Sequence, residues 1–172
     1  MSVKKNVTVP VVALRGIVLF PDMTLHFDVG RKESIAALRA AMHAGQDVFF
    51  VTQKGFADDY PDLGGLHFIG VLGEVRQIVR IPGAKTNLRV VVDGKQRGCI
   101  SEILQSTPYL NACVELLEDE AVFAEDPVYL AALLMRCRSL FEEYCMHSPQ
   151  LAEDVVQSVY ETDDPGVLAD KI

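Results

Sequence analysis

The 172-residue sequence has no apolar run close to the roughly 18 residues that a membrane-spanning helix needs. The opening MSVKKNVTVP contains two lysines, but no apolar segment follows them, so the pattern of a secretory signal is missing. We therefore expect a cytoplasmic protein that does not enter a membrane. With 49% hydrophobic and 23% charged residues, the composition is that of a globular chain with enough apolar side chains for a core.

The four cysteines lack the spacing of about two to four residues that structural zinc sites use. Without a secretory signal, a disulfide framework is not expected either. We interpret Cys99, Cys113, Cys137 and Cys145 as plain buried thiols. Cys145 and His147 come nearest to a reactive pair, but residues two apart on a helix point to different faces. No metal site is predicted.

Motifs for nucleotide binding and for nucleophilic catalysis are also missing. Gly83–Thr86 (GAKT) is only faintly similar to the end of a phosphate-binding loop, because the glycines that such a loop needs are replaced, and we interpret it as a turn. No G-x-S-x-G elbow occurs. Arg76, Arg80 and Arg89 make the strand region mildly basic, and phosphate binding there is an alternative. We predict no catalytic residue and no cofactor in these residues.

Charge is distributed unevenly along the chain, whose formal net charge is −8. Residues 1–118 carry 13 Lys and Arg against 12 Asp and Glu, whereas residues 119–172 carry 3 against 12. This shift predicts one domain over residues 1–118 and a second over residues 119–172. Because the acidic second part repels phosphate backbones, nucleic acid is not an expected partner.

Strand patterns dominate residues 1–118. Val7–Leu14 is β-branched and apolar, and Pro10 is expected near an edge or a strand end. Asp93-Gly94 lies between two strand-like runs and predicts a hairpin turn. About six strands with one helix indicate an α+β protein with a closed or nearly closed barrel. The remaining strands are predicted at Ile17–Phe20, Met23–Val29, Asp47–Gln53 (buried on both faces), His67–Ile81 and Tyr109–Leu117.

One amphipathic helix is predicted between Arg31 and Gly45. Ile35, Leu38 and Met42 recur at helical spacing, so we expect these three side chains in the core. Gly45 is expected to end the helix, because glycine adopts the left-handed conformation that closes many helices.

A proline separates two strand-like runs at Phe20-Pro21-Asp22-Met23. Pro21 has no N–H to continue a central ladder, and it restricts the residue before it to extended geometry. We therefore predict a bend at a barrel corner and not a catalytic loop. After the bend, apolar and polar residues alternate, which is typical of a half-buried strand with His26 on its solvent side.

Residues 119–172 are predicted to form a small helical subdomain with a broad apolar side on its first helix. The last helix stops at Ile172 with little chain left to pack against, and we expect the sequence to be part of a longer chain. Each helix is predicted to open with a capping residue followed by proline, and these pairs are Asp126-Pro127, Ser148-Pro149 and Asp164-Pro165.

The order of these segments resembles the N-terminal domain of the Lon family of ATP-dependent proteases. VPVVALRGIVLFPDMTLHFDVGRKESIAAL is similar to the family's opening motif, with its F-P-x-M bend and V-G-R-x-x-S helix start. GVLGEVRQIVRIPGAKTNLRVVVDGKQRGCI is similar to its central strands, and DDPGVLADKI to its D-D-P-x-x-L-A-D helix. The resemblance covers nearly the whole chain. Ala13 and Asp22 depart from the family pattern.

The resemblance implies a PUA-like β pseudobarrel up to about residue 118, followed by the start of a helical subdomain. In that family, this domain helps to recognise unfolded or damaged proteins and supports assembly of a hexamer. ATP and Mg²⁺, the AAA+ module and the Ser-Lys dyad of the serine protease would belong to the longer parent chain. The present residues would supply substrate recognition and no catalytic group.

A binder of unfolded chains needs exposed apolar surface, because its ligands display apolar side chains. The candidate contact residues are Phe20, Pro21 and Met23 at the bend, with Phe56 and Tyr60 in the polar loop that follows the predicted strand Asp47–Gln53. An ordinary core role for Phe20 and Met23 is the alternative. For the whole chain, the alternatives are a stand-alone PUA-like module that binds protein or RNA, and a small enzyme.

Overall fold

The computed structural model describes residues 5–55, 61, 63–83, 87–118, 127–148 and 150–172. The chain divides into two compact units, Met1–Glu118 and Asp119–Ile172. In the first unit the elements are β1 (Asn6–Leu14), β2 (Thr24–Val29), α1 (Lys32–Ala44), β3 (Val48–Thr52), a 3-10 turn (Leu63–Gly65), β4 (Ile69–Arg80), β5 (Leu88–Gln105) and β6 (Asn111–Leu116). The second unit contains α2 (Pro127–His147), α3 (Glu153–Tyr160) and α4 (Pro165–Lys171). The predicted α+β class is confirmed.

The six strands form one mixed sheet that closes on itself. Its order is β2-β5-β4-β3-β1-β6, and β6 also pairs with β5. Strand β5 is long enough to serve both neighbours, since Leu88–Asp93 pairs with β2 and Gly98–Gln105 pairs with β6. Five strands therefore make a closed ring and β2 is added beside it, which confirms the predicted barrel.

Each face of the sheet carries its own apolar core. Strand β3 supplies both, because Val48 and Phe50 pack on one side while Phe49 and Val51 pack on the other. This confirms the prediction of a strand buried on both faces. We name the first side the helix-side core, because α1 covers it with Ala37, Leu38 and Ala41. The other side is the ring core, built from Val9, Val11, Phe49, Val51, Leu66, Leu72, Ile100, Ala112, Val114 and Leu116.

The hairpin prediction at Asp93-Gly94 is wrong. Both residues lie inside the 18-residue strand β5, where Asp93 pairs with Glu74 and Gly94 pairs with Gly73 of β4. Gly94 has another role, because it provides space for the Phe20–Met23 bend described below. Glycine is therefore required at position 94 by a tertiary contact, and the chain does not reverse its direction there.

The predicted strand at Ile17–Phe20 is also wrong, since these residues form no strand. Gly16 has a φ of 71°, which turns the chain out of β1. Leu19 then enters the helix-side core, while Val18 is 50% exposed. The apolar run Ile17–Phe20 is therefore a loop in which individual side chains, such as Leu19, enter the core.

Pro10 lies inside β1 and not at an edge, because β1 sits between β3 and β6. Pairing with β6 ends at Pro10–Asn111, and pairing with β3 begins at Val11–Phe49. The proline occupies the position where the strand changes partners, so its missing N–H interrupts neither ladder.

Helix α1 packs through smaller side chains than predicted. Leu38 is fully buried and Ile35 is partly buried, but Met42 is 52% exposed, so its predicted core position is wrong. Ala37 and Ala41 take the buried positions, which lets the helix approach the sheet closely. Gly45 ends the helix with a φ of 63°, as predicted.

The second unit has a small core formed by Phe141, Val159 and Leu168. Asp164 caps α4, because its carboxylate accepts a hydrogen bond from the Val167 N–H at 2.9 Å, and this prediction is confirmed. The predicted cap at Ser148-Pro149 is wrong, since α3 begins at Glu153 after Ala152, which provides no side-chain cap. Asp126 lies outside the described residues.

Candidate functional site

The Phe20–Met23 bend is a tight β-turn. The Met23 N–H donates a hydrogen bond to the Phe20 carbonyl oxygen at 3.3 Å. Pro21 occupies the second position, and Asp22 at the third has a φ of 58°. This combination is typical of a type II turn, where glycine or asparagine is preferred at the third position. The predicted bend is therefore present, with an aspartate in a left-handed conformation at its tip.

The turn is held against strand β5 by two backbone hydrogen bonds. The Asp22 N–H donates to the Gly94 carbonyl oxygen at 3.0 Å, and the Gly94 N–H donates to the Met23 carbonyl oxygen at 2.9 Å. A Cβ atom on residue 94 would collide with the Phe20 carbonyl oxygen. The close approach of the turn thus requires glycine at this position.

The side chains of the turn form a partly exposed apolar surface. Met23 is 37% exposed, and Phe20 and Pro21 are half-buried. Neither Phe20 nor Met23 belongs to the buried cores. The Phe20 ring lies 6.0 Å from the guanidinium carbon of Arg97, which is within cation–π range. We call Phe20, Pro21 and Met23 the turn surface; Phe56 and Tyr60 lie outside the described residues.

Charged side chains on β2, β4 and β5 are paired across strands. Asp93 accepts hydrogen bonds from the Arg76 Nε at 2.6 Å and the Thr24 hydroxyl at 2.7 Å. The hydrogen bond from Arg76 is the main cause that lowers the pKa of Asp93 below its ordinary value. Arg89 likewise bonds Asp28 at 2.8 Å and lowers the pKa of that carboxyl. Two arginines of the predicted basic region are thus already neutralised by carboxylates.

A groove lies where the ends of β1 and β2 meet the start of α1. Its volume is about 310 Å³, and its lining includes Ala13, Ile17, Phe27, Asp28 and Ser34. Both apolar side chains and polar groups line it, and Arg15 and Arg31 contribute to the wall. We call it the edge groove. None of its lining residues was singled out from the sequence as a binding residue, because they come from three elements that only the fold brings together.

Other apolar side chains are exposed away from the turn. Phe68 and Ile69, at the start of β4, are 52% and 59% exposed, and the Lys54 Nζ lies 5.3 Å from the Phe68 ring. In the second unit, α2 exposes several large apolar side chains, among them Val128, Tyr129, Leu133, Met135, Leu140, Tyr144 and Met146.

The cysteines are free thiols, but their predicted burial is wrong. Cys99, Cys113 and Cys145 are half-buried and Cys137 is exposed. Within the described part of the chain, no group of three or more His, Cys, Asp or Glu side chains is arranged to hold a metal ion. Among the described helices, none is both long and apolar enough to cross a bilayer.

The first unit is a small α+β barrel that exposes apolar side chains on a turn, and the second is a helical unit that exposes them on α2. The chain belongs to the ATP-dependent protease La (LON) substrate-binding domain family, whose model matches residues 8–172. The resemblance seen in the sequence is confirmed.

Similar proteins support the same assignment. The Lon protease of Syntrophomonas wolfei is 36% identical over 163 residues, which are 95% of this chain and 20% of that protein. The Lon protease of Clostridium acetobutylicum is 34% identical over 97% of this chain and 21% of its own length. The chain therefore spans about a fifth of these relatives.

Solved structures show the same fold. The N-terminal domain of the Mycobacterium avium complex Lon protease matches with a TM-score of 0.66 at 23% identity, covering 95% of this chain and 80% of that one. A Lon N-terminal domain protein from Xanthomonas campestris matches with a TM-score of 0.53 at 17% identity, covering 92% of both chains.

Proposed function

We propose that this chain is the substrate-binding part of an ATP-dependent Lon protease and contacts unfolded or damaged proteins in the cytoplasm. The observation that carries the proposal is the family match over residues 8–172, together with relatives that are named Lon proteases. The same match favours this function over a stand-alone module. ATP and Mg²⁺ would act in the other parts of such a protease.

Within residues 1–118, the turn surface is the proposed site at which substrates are contacted. Unfolded proteins display apolar side chains that folded ones bury, so a partly exposed apolar surface binds them by removing shared apolar area from water. The half-buried Phe20 and the exposed Met23 provide such area on a turn that hydrogen bonds hold rigid. Phe56 and Tyr60 remain proposed contacts of the same kind.

Each such contact is weak, because a few half-exposed side chains bury little area. In a hexamer, six copies would face one flexible substrate, and effective concentration would raise the overall affinity. We propose that residues 119–172 support this assembly. Their exposed apolar side chains on α2 support the proposal, since surfaces of this kind are common at protein interfaces.

Binding of an unfolded protein to the 172-residue chain tests the proposal. The probe is a fluorescently labelled protein kept unfolded by reduction and carboxymethylation, and the readout is fluorescence anisotropy. We expect Phe20→Ser and Met23→Ser to weaken binding several-fold, because each removes apolar contact area. Val79→Ser is the matched control, since Val79 is 43% exposed on β4 and is not part of the turn surface.

The thermal midpoint of each variant separates binding from folding. Unchanged binding by both turn variants, with all three proteins folded, would show that the turn surface is not the contact site. Failure of the unaltered chain to bind any unfolded probe would contradict the proposed function itself.

A further inference from the structure

We propose that two copies of this chain pair through helix α2, with the two helices antiparallel. The proposal rests on the assembly role proposed above for residues 119–172, and it names the surface and the register that this role would use. It is carried by the spacing and exposure of apolar side chains on α2 and by two opposite charges beside them.

Helix α2 uses one side for the core of its own unit. Phe141 is buried there, with Leu134 and Cys145 packed beside it. Val159 of α3 and Leu168 of α4 complete this core. Most other positions of α2 are exposed, so the core of the unit does not account for the apolar side chains among them.

A second apolar stripe runs along α2 beside the buried side. Its members are separated alternately by three and four residues, which is the a and d spacing of a coiled coil. Leu133, Leu140 and Tyr144 are exposed at these positions. Such a stripe packs against a partner helix over its whole length, about 26 Å at 1.5 Å per residue. We call the following six residues the α2 stripe: Leu130, Leu133, Cys137, Leu140, Tyr144 and His147.

Two opposite charges flank the α2 stripe. Arg136 and Glu143 are seven residues apart and directly precede Cys137 and Tyr144, so both occupy the g position of the repeat. Both side chains are exposed, and within the described residues neither takes part in an ion pair. Charges at g positions determine the choice of partner and the orientation of helix pairs.

Antiparallel pairing of two α2 stripes brings these opposite charges together. In the register that centres the stripe, Leu133 of one copy lies against Tyr144 of the other, and Cys137 lies against Leu140. The g positions of two helices that run in opposite directions lie on the same side of the interface. Arg136 of each copy then faces Glu143 of the other, and two-fold symmetry forms this ion pair twice.

Parallel pairing would lose both ion pairs. The g position of one helix would then face the e position of the other, which in α2 is occupied by Leu134 and Phe141. These two side chains pack in the core of their own unit. The charges therefore favour the antiparallel arrangement, as do the opposed helix dipoles.

The negative charge of residues 119–172 opposes association of two copies, but it lies outside the α2 stripe. None of the six stripe positions carries a carboxylate. Of the two glutamates of α2, Glu143 faces Arg136 of the other copy, and Glu142 lies on the far side of the helix from the stripe. Because one helix pair buries less area than a standard interface, we expect a weak dimer.

Sedimentation equilibrium of the 172-residue chain, from micromolar to near-millimolar concentration, tests the pairing. A reductant is present so that a disulfide cannot produce a dimer. We expect a reversible dimer that Leu140→Ser weakens about tenfold, because the change removes apolar contact area from both copies. Met135→Ser is the matched control, since Met135 is 72% exposed on the opposite side of α2, and it should leave the dimer unchanged.

Charge reversal tests the register. Arg136→Glu alone and Glu143→Arg alone should each weaken the dimer about tenfold, because each brings like charges together twice. The double variant should regain the dimer. An equal mixture of the two single variants should form a mixed dimer, since one copy then carries two glutamates and the other two arginines at the g positions. In a parallel pair these changes would have no such effect.

Thermal midpoints establish that each variant is folded. A chain that stays monomeric at all concentrations, or an equal effect of Met135→Ser and Leu140→Ser, would overturn the α2 stripe as the contact surface. Undiminished dimers of both single charge variants would overturn the antiparallel register.

The outcome is separable from that of the proposed function. If the chain binds the unfolded protein but does not dimerise, the pairing fails and the proposed substrate binding stands. If the chain dimerises as expected while binding no unfolded protein, the pairing stands and the proposed function fails.

Discussion

At the scale of single residues, the chain shows how one backbone contact can explain two distant motifs. The F-P-x-M bend and the Asp93-Gly94 pair are about seventy positions apart, and the structure joins them through backbone hydrogen bonds of 2.9 and 3.0 Å. The glycine is required because the Phe20 carbonyl oxygen occupies the place of its side chain. This contact also holds Phe20 and Met23 in place on the turn surface.

Replacing Gly94 by alanine should destabilise the chain by about 1–3 kcal/mol, because the added Cβ forces the turn away from β5. Gly55→Ala is the matched control, since an added Cβ there meets no atom of the described residues within 4 Å, and we expect a change within about 0.5 kcal/mol. Urea unfolding followed by far-ultraviolet circular dichroism measures both. Equal stability of the two variants would show that the turn does not rest on β5 in solution.

At the scale of elements, helix α1 is recognisable from its periodicity, but the depth to which each residue is buried is not. Its apolar stripe predicted Leu38 in the core correctly and Met42 wrongly. The helix lies so close to the sheet that alanine at positions 37 and 41 fills the contact, and Met42 falls to the exposed flank. Helical spacing identifies a face, whereas the distance to the neighbouring layer decides which residues of that face are covered.

Leu38→Ala should therefore destabilise the chain by about 2–5 kcal/mol, since it leaves a cavity beneath the helix. Met42→Ala removes a side chain of similar size from an exposed position and should change stability by less than about 0.5 kcal/mol. Thermal or urea unfolding of the two variants in parallel is the measurement. A comparable loss for Met42→Ala would place that side chain in a core.

At the scale of the whole molecule, closure of the sheet gives β6 two strand partners, β1 and β5. Strand β2, in contrast, has one partner among the described strands. The length of β5 makes this arrangement possible, because its two halves pair with different strands on the same side. The edge groove lies where the ends of β1 and β2 meet the start of α1.

Hydrogen exchange of backbone amides should report this closure. We expect the paired amides of β6 to exchange as slowly as those of the interior strand β3, because both are bonded on both sides. In β2, the outward N–H groups of His26 and Asp28 should exchange much faster than those of Leu25 and Phe27, which face β5. Fast exchange throughout β6 would indicate an open sheet.

The chain's own sequence determined the α+β class, most strand and helix positions, the helix end at Gly45, the cap at Asp164 and the family, because periodicity, capping and colinear motifs are local properties. Tertiary structure alone decided that β5 runs through Asp93-Gly94, that Pro10 lies inside a strand and that Met42 is exposed. It also brought Ala13, Asp28 and Ser34 to one groove. The reason is that strand pairing, and the distance between a helix and the sheet, depend on residues far apart in the chain. A local sequence pattern contains no information about such distant residues.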